Sequence, residues 1–293
     1  MNYTELRRLI KDKIDKTFEE ASIELQEIIF GINTNDTIGI ITEIGIIPED
    51  IIHDSTEEKL YTKVSDILFA KALKEMNFEV QVLRERSDCA DIVAQSKYHE
   101  YSLVGDAKAF RLSRTAKNAK DFKVDSMVHW RGYSNFSVLI CPYYQYPKAT
   151  SQIYKSALDG NVALFSWEYL YVLLSSKVRE TPNLNLSDLW NQSAIISRNV
   201  TVEESKKSFI RQQDENILNI INISKNDFNQ LFVDINKKMV KRGNNEIRYF
   251  QNEINRIRRL DRKSAIEELL VCKKLDSKIG TIKTFINQLN CDD

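Results

Sequence analysis

The stretch from Asp91 to Lys108, DIVAQSKYHEYSLVGDAK, decides the fold. Its two apolar runs, DIVAQS and YSLVGDAK, flank a polar turn at Lys97 to Glu100, which reads as a β-hairpin. Facing residues in an antiparallel pair are equidistant from the turn centre, here between Tyr98 and His99, so Asp91 faces Asp106. Side chains alternate along a strand, so Asp106 and Lys108 share one face and Ala107 points to the other. Two carboxylates and an ammonium therefore converge. Close carboxylates repel unless a cation lies between them, and a hard, oxygen-seeking ion such as Mg2+ suits the pair. Beside a phosphodiester, such a site can polarise the phosphoryl oxygen and activate water. A lysine there orients the attacking hydroxide and stabilises charge. An ordinary lysine titrates near 10.4 and nearby carboxylates raise it further, which favours this role over that of a base.

Outward from the hairpin, FEVQV before it alternates with period two, and FSVLICP and NVALFSW after it are further strands separated by helical stretches. Upstream, STEEKLYTKVSDILFAKALKEMN puts Leu60, Val64, Ile67, Leu68 and Ala72 on one helical stripe. At the N-terminus, Leu6, Leu9, Ile10, Ile14 and Phe18 predict one amphipathic helix that stops at Gly31. Beyond about Glu180 strand signals cease, and Ile247, Phe250, Ile254, Ile257 and Leu260 continue a helical pattern. The expected architecture is α/β, a mixed central sheet flanked by helices. It divides into an N-terminal helical region over 1–54, a core over 55–180 and a C-terminal helical region over 181–293, together forming one compact unit.

Composition excludes several classes. The 293 residues carry 42 basic and 42 acidic side chains, so net charge says nothing about partners. Four cysteines without a C-x-x-C pair and three scattered histidines argue against a disulfide framework or a zinc site. No uncharged run approaches the roughly 18 residues of a membrane span, and the expected location is the cytoplasm.

Charge is concentrated locally instead. Lys108, Arg111, Arg114, Lys117, Lys120 and Lys123 recur every third residue. Each such step falls about 60° short of a helical turn, so one helix cannot present them on one face. A strand end, an irregular crossing and a helix starting near Asn118 fit better, a path able to follow a DNA backbone. Asn118, Lys120, Asp121 and Lys123 include side-chain types that pair with base edges in the major groove. The aromatics of PYYQYPK (Pro142–Lys148) are expected to pack a loop on the sheet, and the arginines of NRIRRLDRK to form a solvated helix face.

The run GDAKAFRLSRTAKNAKDFKV, with STEEKL upstream and YYQYPKATSQIYKSALDGNVALFSWEYL downstream, resembles the HindIII-type type II restriction endonucleases, a branch of the PD-(D/E)xK nuclease superfamily. The likeness runs from about Ser55 to Tyr169 and is weaker in the helical tail. It implies that Asp91 and Asp106, with the backbone carbonyl of Ala107, bind Mg2+ and that Lys108 assists water attack. Arg111, Arg114, Lys117, Asn118, Lys120, Asp121 and Lys123 are the corresponding DNA-binding candidates. Ala90 stands where the superfamily's eponymous proline would shape a strand end without doing chemistry. Superfamily members often add an acidic residue from the preceding helix, which makes Glu58 a metal candidate. Ser55 and Glu58 also form S-x-x-E, and capping is the preferred reading. Glu85 and Asp88 are further acidic candidates that spacing does not single out.

The implied function is a homodimeric, Mg2+-dependent endonuclease of a restriction-modification system that cuts double-stranded DNA at AAGCTT after the first A, with a cognate DNA methyltransferase as functional partner. The alternatives are a DNA-binding scaffold with a decayed core, against which the intact Asp91, Asp106 and Lys108 argue, and a repair or structure-selective nuclease.

Overall fold

Two capping signals, N-x-x-E at Asn2 and T-x-x-E at Thr17, break the N-terminal segment before any sheet forms. In the computed structural model, which describes residues 1–84, 89–114, 119–147, 151–198, 205–274, 276, 278–280 and 282–284, Asn2 and Glu5 close a capping box that starts α1 (Tyr3–Lys11). Thr17 and Glu20 close a second one that starts α2 (Phe18–Gly31). The single helix expected there is therefore two. Reciprocal caps satisfy amide groups that a continuous helix would have bonded internally, and Lys13 holds Glu24 at 2.6 Å across the break. Helix α3 (Thr34–Ile41) follows, and then α4 (Thr56–Glu75), the long helix on which the sheet is built.

The strands are β1 (Phe78–Val82), β2 (Ile92–Ser96), β3 (Ser102–Ala107), β4 (Phe136–Cys141) and β5 (Val162–Ser166). They lie in sequence order in a single mixed sheet, antiparallel from β1 to β3 and parallel from β3 to β5. Helices α5 (Ala119–Phe122) and α6 (Val124–Trp130) lie between β3 and β4. Helix α7 (Gln152–Gly160) connects β4 to β5. The parallel strands are apolar on both faces, as strands covered on both sides must be. Leu103, Val138, Ile140 and Phe165 join the core under α4, whereas Val104, Leu139, Cys141 and Leu164 pack with Phe122, Met127 and Tyr154 on the other face.

The remaining helices are α8 (Trp167–Ser175), α9 (Ser187–Trp190), α10 (Gln192–Ile196), α11 (Ser205–Ile221), α12 (Lys225–Arg258) and α13 (Arg262–Cys272). Leu186, Leu189, Trp190, Ile217 and Phe228 belong to the α4-side core, so the chain from Glu180 to Phe228 contributes to the same packing. The chain divides into Met1–Gly243 and Asn244–Asp293, with the boundary inside α12. The aromatic loop packs as expected: the buried Tyr146 hydroxyl donates to the Phe165 carbonyl at 2.7 Å. Among the described residues no helix is long and apolar enough to cross a membrane.

Candidate active site

The hairpin register is the starting point. Ile92 pairs with Gly105 and Ala94 with Leu103, and the Asp91 amide donates to the Gly105 carbonyl at 3.1 Å. Asp91 thus meets Asp106 one step beyond the ladder. The turn is tied down at its far end, where Ser96 and Tyr101 both donate to the buried Glu180 carboxylate. Where β3 ends, the Lys108 amide donates to the Ile140 carbonyl at 2.8 Å, and its ammonium lies 2.5 Å from Asp106 Oδ2.

Helix α4 brings a third carboxylate to this pair. Gly105 has no side chain in the way: a Cβ there would stand 2.6 Å from Phe69 Cε1, so a larger residue would push α4 off the sheet. The close approach lets the Ala107 amide donate to Asp66 Oδ1 at 3.1 Å. Asp66 and Asp106 are 3% and 2% exposed, which makes them titratable groups inside the protein. Burial, then the charges of Asp91 and Asp106, holds the Asp66 carboxyl well above the usual range against the pull of Lys63 and the Ala107 amide. Burial likewise pushes Asp106 up to about 6; Lys108 opposes the rise and Asp91 adds to it. A cluster of three carboxylates, of which Asp66 and Asp106 are held above the usual range, suits a hard divalent cation, whose charge would relieve the repulsion.

These residues line a cleft of about 550 Å3 together with Lys59, Thr62, Lys63, Arg84 and Lys123. Lys63 donates to the Leu83 carbonyl at 2.8 Å and lies 3.5 Å from Asp91. The cleft therefore has an acidic floor and a basic wall. Asp66, Lys59, Lys63 and Arg84 were not among the residues singled out from sequence. A signal existed: Lys59, Thr62, Lys63 and Asp66 follow the i, i+3, i+4, i+7 spacing of one helix face.

Glu58 belongs elsewhere. It precedes Asp66 by two helical turns, about 12 Å along the axis. Its oxygens accept from Arg111 Nη2 at 2.6 Å, from the Asp54 amide at 2.7 Å and sit 3.0 Å from His53. Burial would raise its pKa, but these partners lower it below the usual value. The capping box is half formed, with the Ser55 hydroxyl accepting from the Glu58 amide at 3.2 Å. His53, Asp54 and Glu58 bring ligand-type atoms within 4.8 Å of one another, yet Arg111 already balances the charge there.

Arg111, expected as a DNA contact, is engaged within the protein. Its Nη1 donates to the Pro48 carbonyl at 2.8 Å, and with Glu58 it clamps the β3 exit to α4. Arg114 meets Asp121 at 2.5 Å. Lys120 is exposed, and Lys123 reaches the cleft with its ammonium 5.3 Å from the centre of the Trp130 ring. Lys117 and Asn118, like Glu85 and Asp88, lie outside the described residues. The helix expected near Asn118 is α5, starting at Ala119.

A mixed five-strand sheet that carries carboxylates and a lysine where β2 and β3 open beside a covering helix is the core of the restriction-endonuclease-like fold. The chain belongs to the HindIII restriction endonuclease family, whose model matches residues 5–286. It is 39% identical over 288 residues, 98% of this chain and 96% of the relative, to the type II restriction enzyme HindIII of Haemophilus influenzae. The chain is thus a type II restriction endonuclease by family.

Proposed function

We propose that this protein is a Mg2+-dependent endonuclease that cuts both strands of double-stranded DNA at the palindrome AAGCTT, after the first A. The observation that supports it most is the convergence of Asp66, Asp91, Asp106 and Lys108 in one cleft of a chain belonging to this family. Asp91, Asp106 and the Ala107 carbonyl would hold the metal, with Asp66 as a third carboxylate in place of Glu58. When bound, Mg2+ polarises the phosphoryl oxygen and acidifies water. Lys108, anchored 2.5 Å from Asp106, orients the attacking water and stabilises negative charge on the phosphoryl oxygens. The leaving 3′ oxygen departs opposite the attacking water, so the 5′ side keeps the phosphate.

Lys59, Arg84 and Lys123 face the same cleft and serve DNA phosphates. Arg114, Lys117, Asn118, Lys120 and Asp121 are the residues from which bases would be read. Two copies related by a two-fold axis match a palindrome and cut each strand once, leaving the four-base 5′ overhang AGCT. A cognate methyltransferase would protect the host's own sites. Digestion of a plasmid of known sequence with Mg2+, followed by sequencing of the ends, tests this reading. Breaks mapping only to A/AGCTT are expected, whereas cleavage at another sequence, or brisk cleavage in EDTA, refutes it.

A further inference from the structure

The C-terminal unit, Asn244–Asp293, buries no hydrophobic side chain among its described residues. It instead exposes Ile247, Phe250, Ile254 and Ile257 on α12, and Ile266 and Leu269 on α13, each between 42% and 56% accessible. On α12 the steps are three, four and three residues. That spacing is the a and d pattern of a heptad, and counting back by sevens along the sequence reaches Val240 and Val233, which are also exposed. A stripe repeating every 3.5 residues stays in line with a second helix, whereas a face meant for a sheet or globular core follows the broader 3.6-residue period.

The chain's own α13 does not supply that second helix. It is fastened to α12 by Arg256, whose Nη2 lies 2.7 Å from Glu268. Arg256 is two residues past Ile254, about 200° round the helix, so the fastening lies on the side away from the stripe. The stripe sets Val233, Val240, Ile247, Phe250, Ile254 and Ile257, all exposed, along α12. The flanking charges are complementary as well: Glu253 and Arg258 occupy the g and e positions that meet across two parallel copies, while an antiparallel pair would set like positions opposite each other.

We infer that the stripe Ile247–Ile257 of α12 is where a second copy of this chain docks, in parallel and through the same stripe. This rests on the homodimer reading and adds where that dimer forms.

Sedimentation velocity of the full chain at micromolar concentration, with and without a duplex carrying one AAGCTT site, tests it. The variants are Ile247→Glu/Ile254→Glu, the milder Phe250→Ala, and Asn252→Glu on the far face as a control. The expected result is a dimer for wild type and control, a monomer for the double variant, and at least a tenfold weaker dimer for Phe250→Ala. The mild variant keeps the test decisive if two glutamates unwind α12. A wild-type dimer whose stability neither variant changes overturns the docking site and leaves the homodimer standing. A wild-type chain that remains monomeric on DNA overturns the homodimer reading itself.

Discussion

Asp66 carries an unusual burden for one side chain. It is buried against two other carboxylates, and its charge is disfavoured in the folded protein while remaining free in the unfolded chain. An acid whose folded pKa is raised contributes stability that is fully present below the unfolded value, near 4, and is lost as pH rises through the folded value. Asp106, pushed up to about 6, adds a loss of the same sign as pH rises from about 4 through 6. Asp66→Asn keeps an oxygen to accept from the Ala107 amide and removes the ionisation. In EDTA its melting temperature should match wild type near pH 4 and exceed it increasingly above pH 6, while cleavage in Mg2+ falls on the order of 100-fold or more. Parallel melting curves across that range would show that Asp66 is not a strained acid. Arg111 and Lys123 make the opposite comparison. Arg111→Ala should lower unfolding free energy by about 2 to 3 kcal/mol through the orphaned Glu58, without changing the salt dependence of DNA binding. Lys123→Ala should leave stability within about 0.5 kcal/mol and make that salt dependence shallower. Urea titrations and binding measured at several salt concentrations separate the two.

Among the elements, the joint between β5 and α8 sets a pH limit on the fold. Glu168, in the first turn of α8, is fully inside the protein and accepts from the Tyr143 amide at 2.9 Å. Burial pushes its carboxyl up to about 7 despite that bond. The sign is the same as for Asp66: the contribution is present below about pH 4.5 and disappears as pH rises through 7. From the size of the shift it amounts to roughly 3 kcal/mol. Glu168→Gln keeps the acceptor for Tyr143, so the variant should equal wild type at pH 4.5 and be more stable by about 2 to 3 kcal/mol at pH 8. Urea unfolding at the two pH values measures this, and an equal difference at both would remove ionisation as the cause. The N-terminal elements show how local chemistry outranks periodicity. The spacing of Leu6, Ile10, Ile14 and Phe18 continues across the break, but the Thr17–Glu20 box offers the amides a better local arrangement.

For the whole molecule, zero net charge conceals a basic wall over an acidic floor, because the cleft gathers lysines and carboxylates from α4, the end of β1, the hairpin and the turn before α6. If each copy cuts one strand, a dimer with a single working site should nick. Mixed dimers of wild type and Lys108→Ala, purified with two different affinity tags, are expected to convert supercoiled plasmid to open circles and stop there. Efficient linearisation by the mixed dimer would mean that one cleft serves both strands, contrary to the two-fold arrangement.

The local determinants were legible in the residues alone. The alternation of DIVAQS and YSLVGDAK about its turn pairs Asp91 with Asp106, because antiparallel register follows from counting, and the five strands and α4 follow from period and punctuation. Only tertiary structure decided the rest of the site. Whether Asp66 or Glu58 joins the hairpin depends on where α4 crosses the sheet, and that crossing is set by the missing Cβ of Gly105 beneath Phe69. Whether Arg111 meets phosphate or Glu58 depends on a residue more than fifty positions earlier in the chain. Sequence spacing reports which side chains share a face of one element; which faces meet is settled by packing between elements distant in the chain.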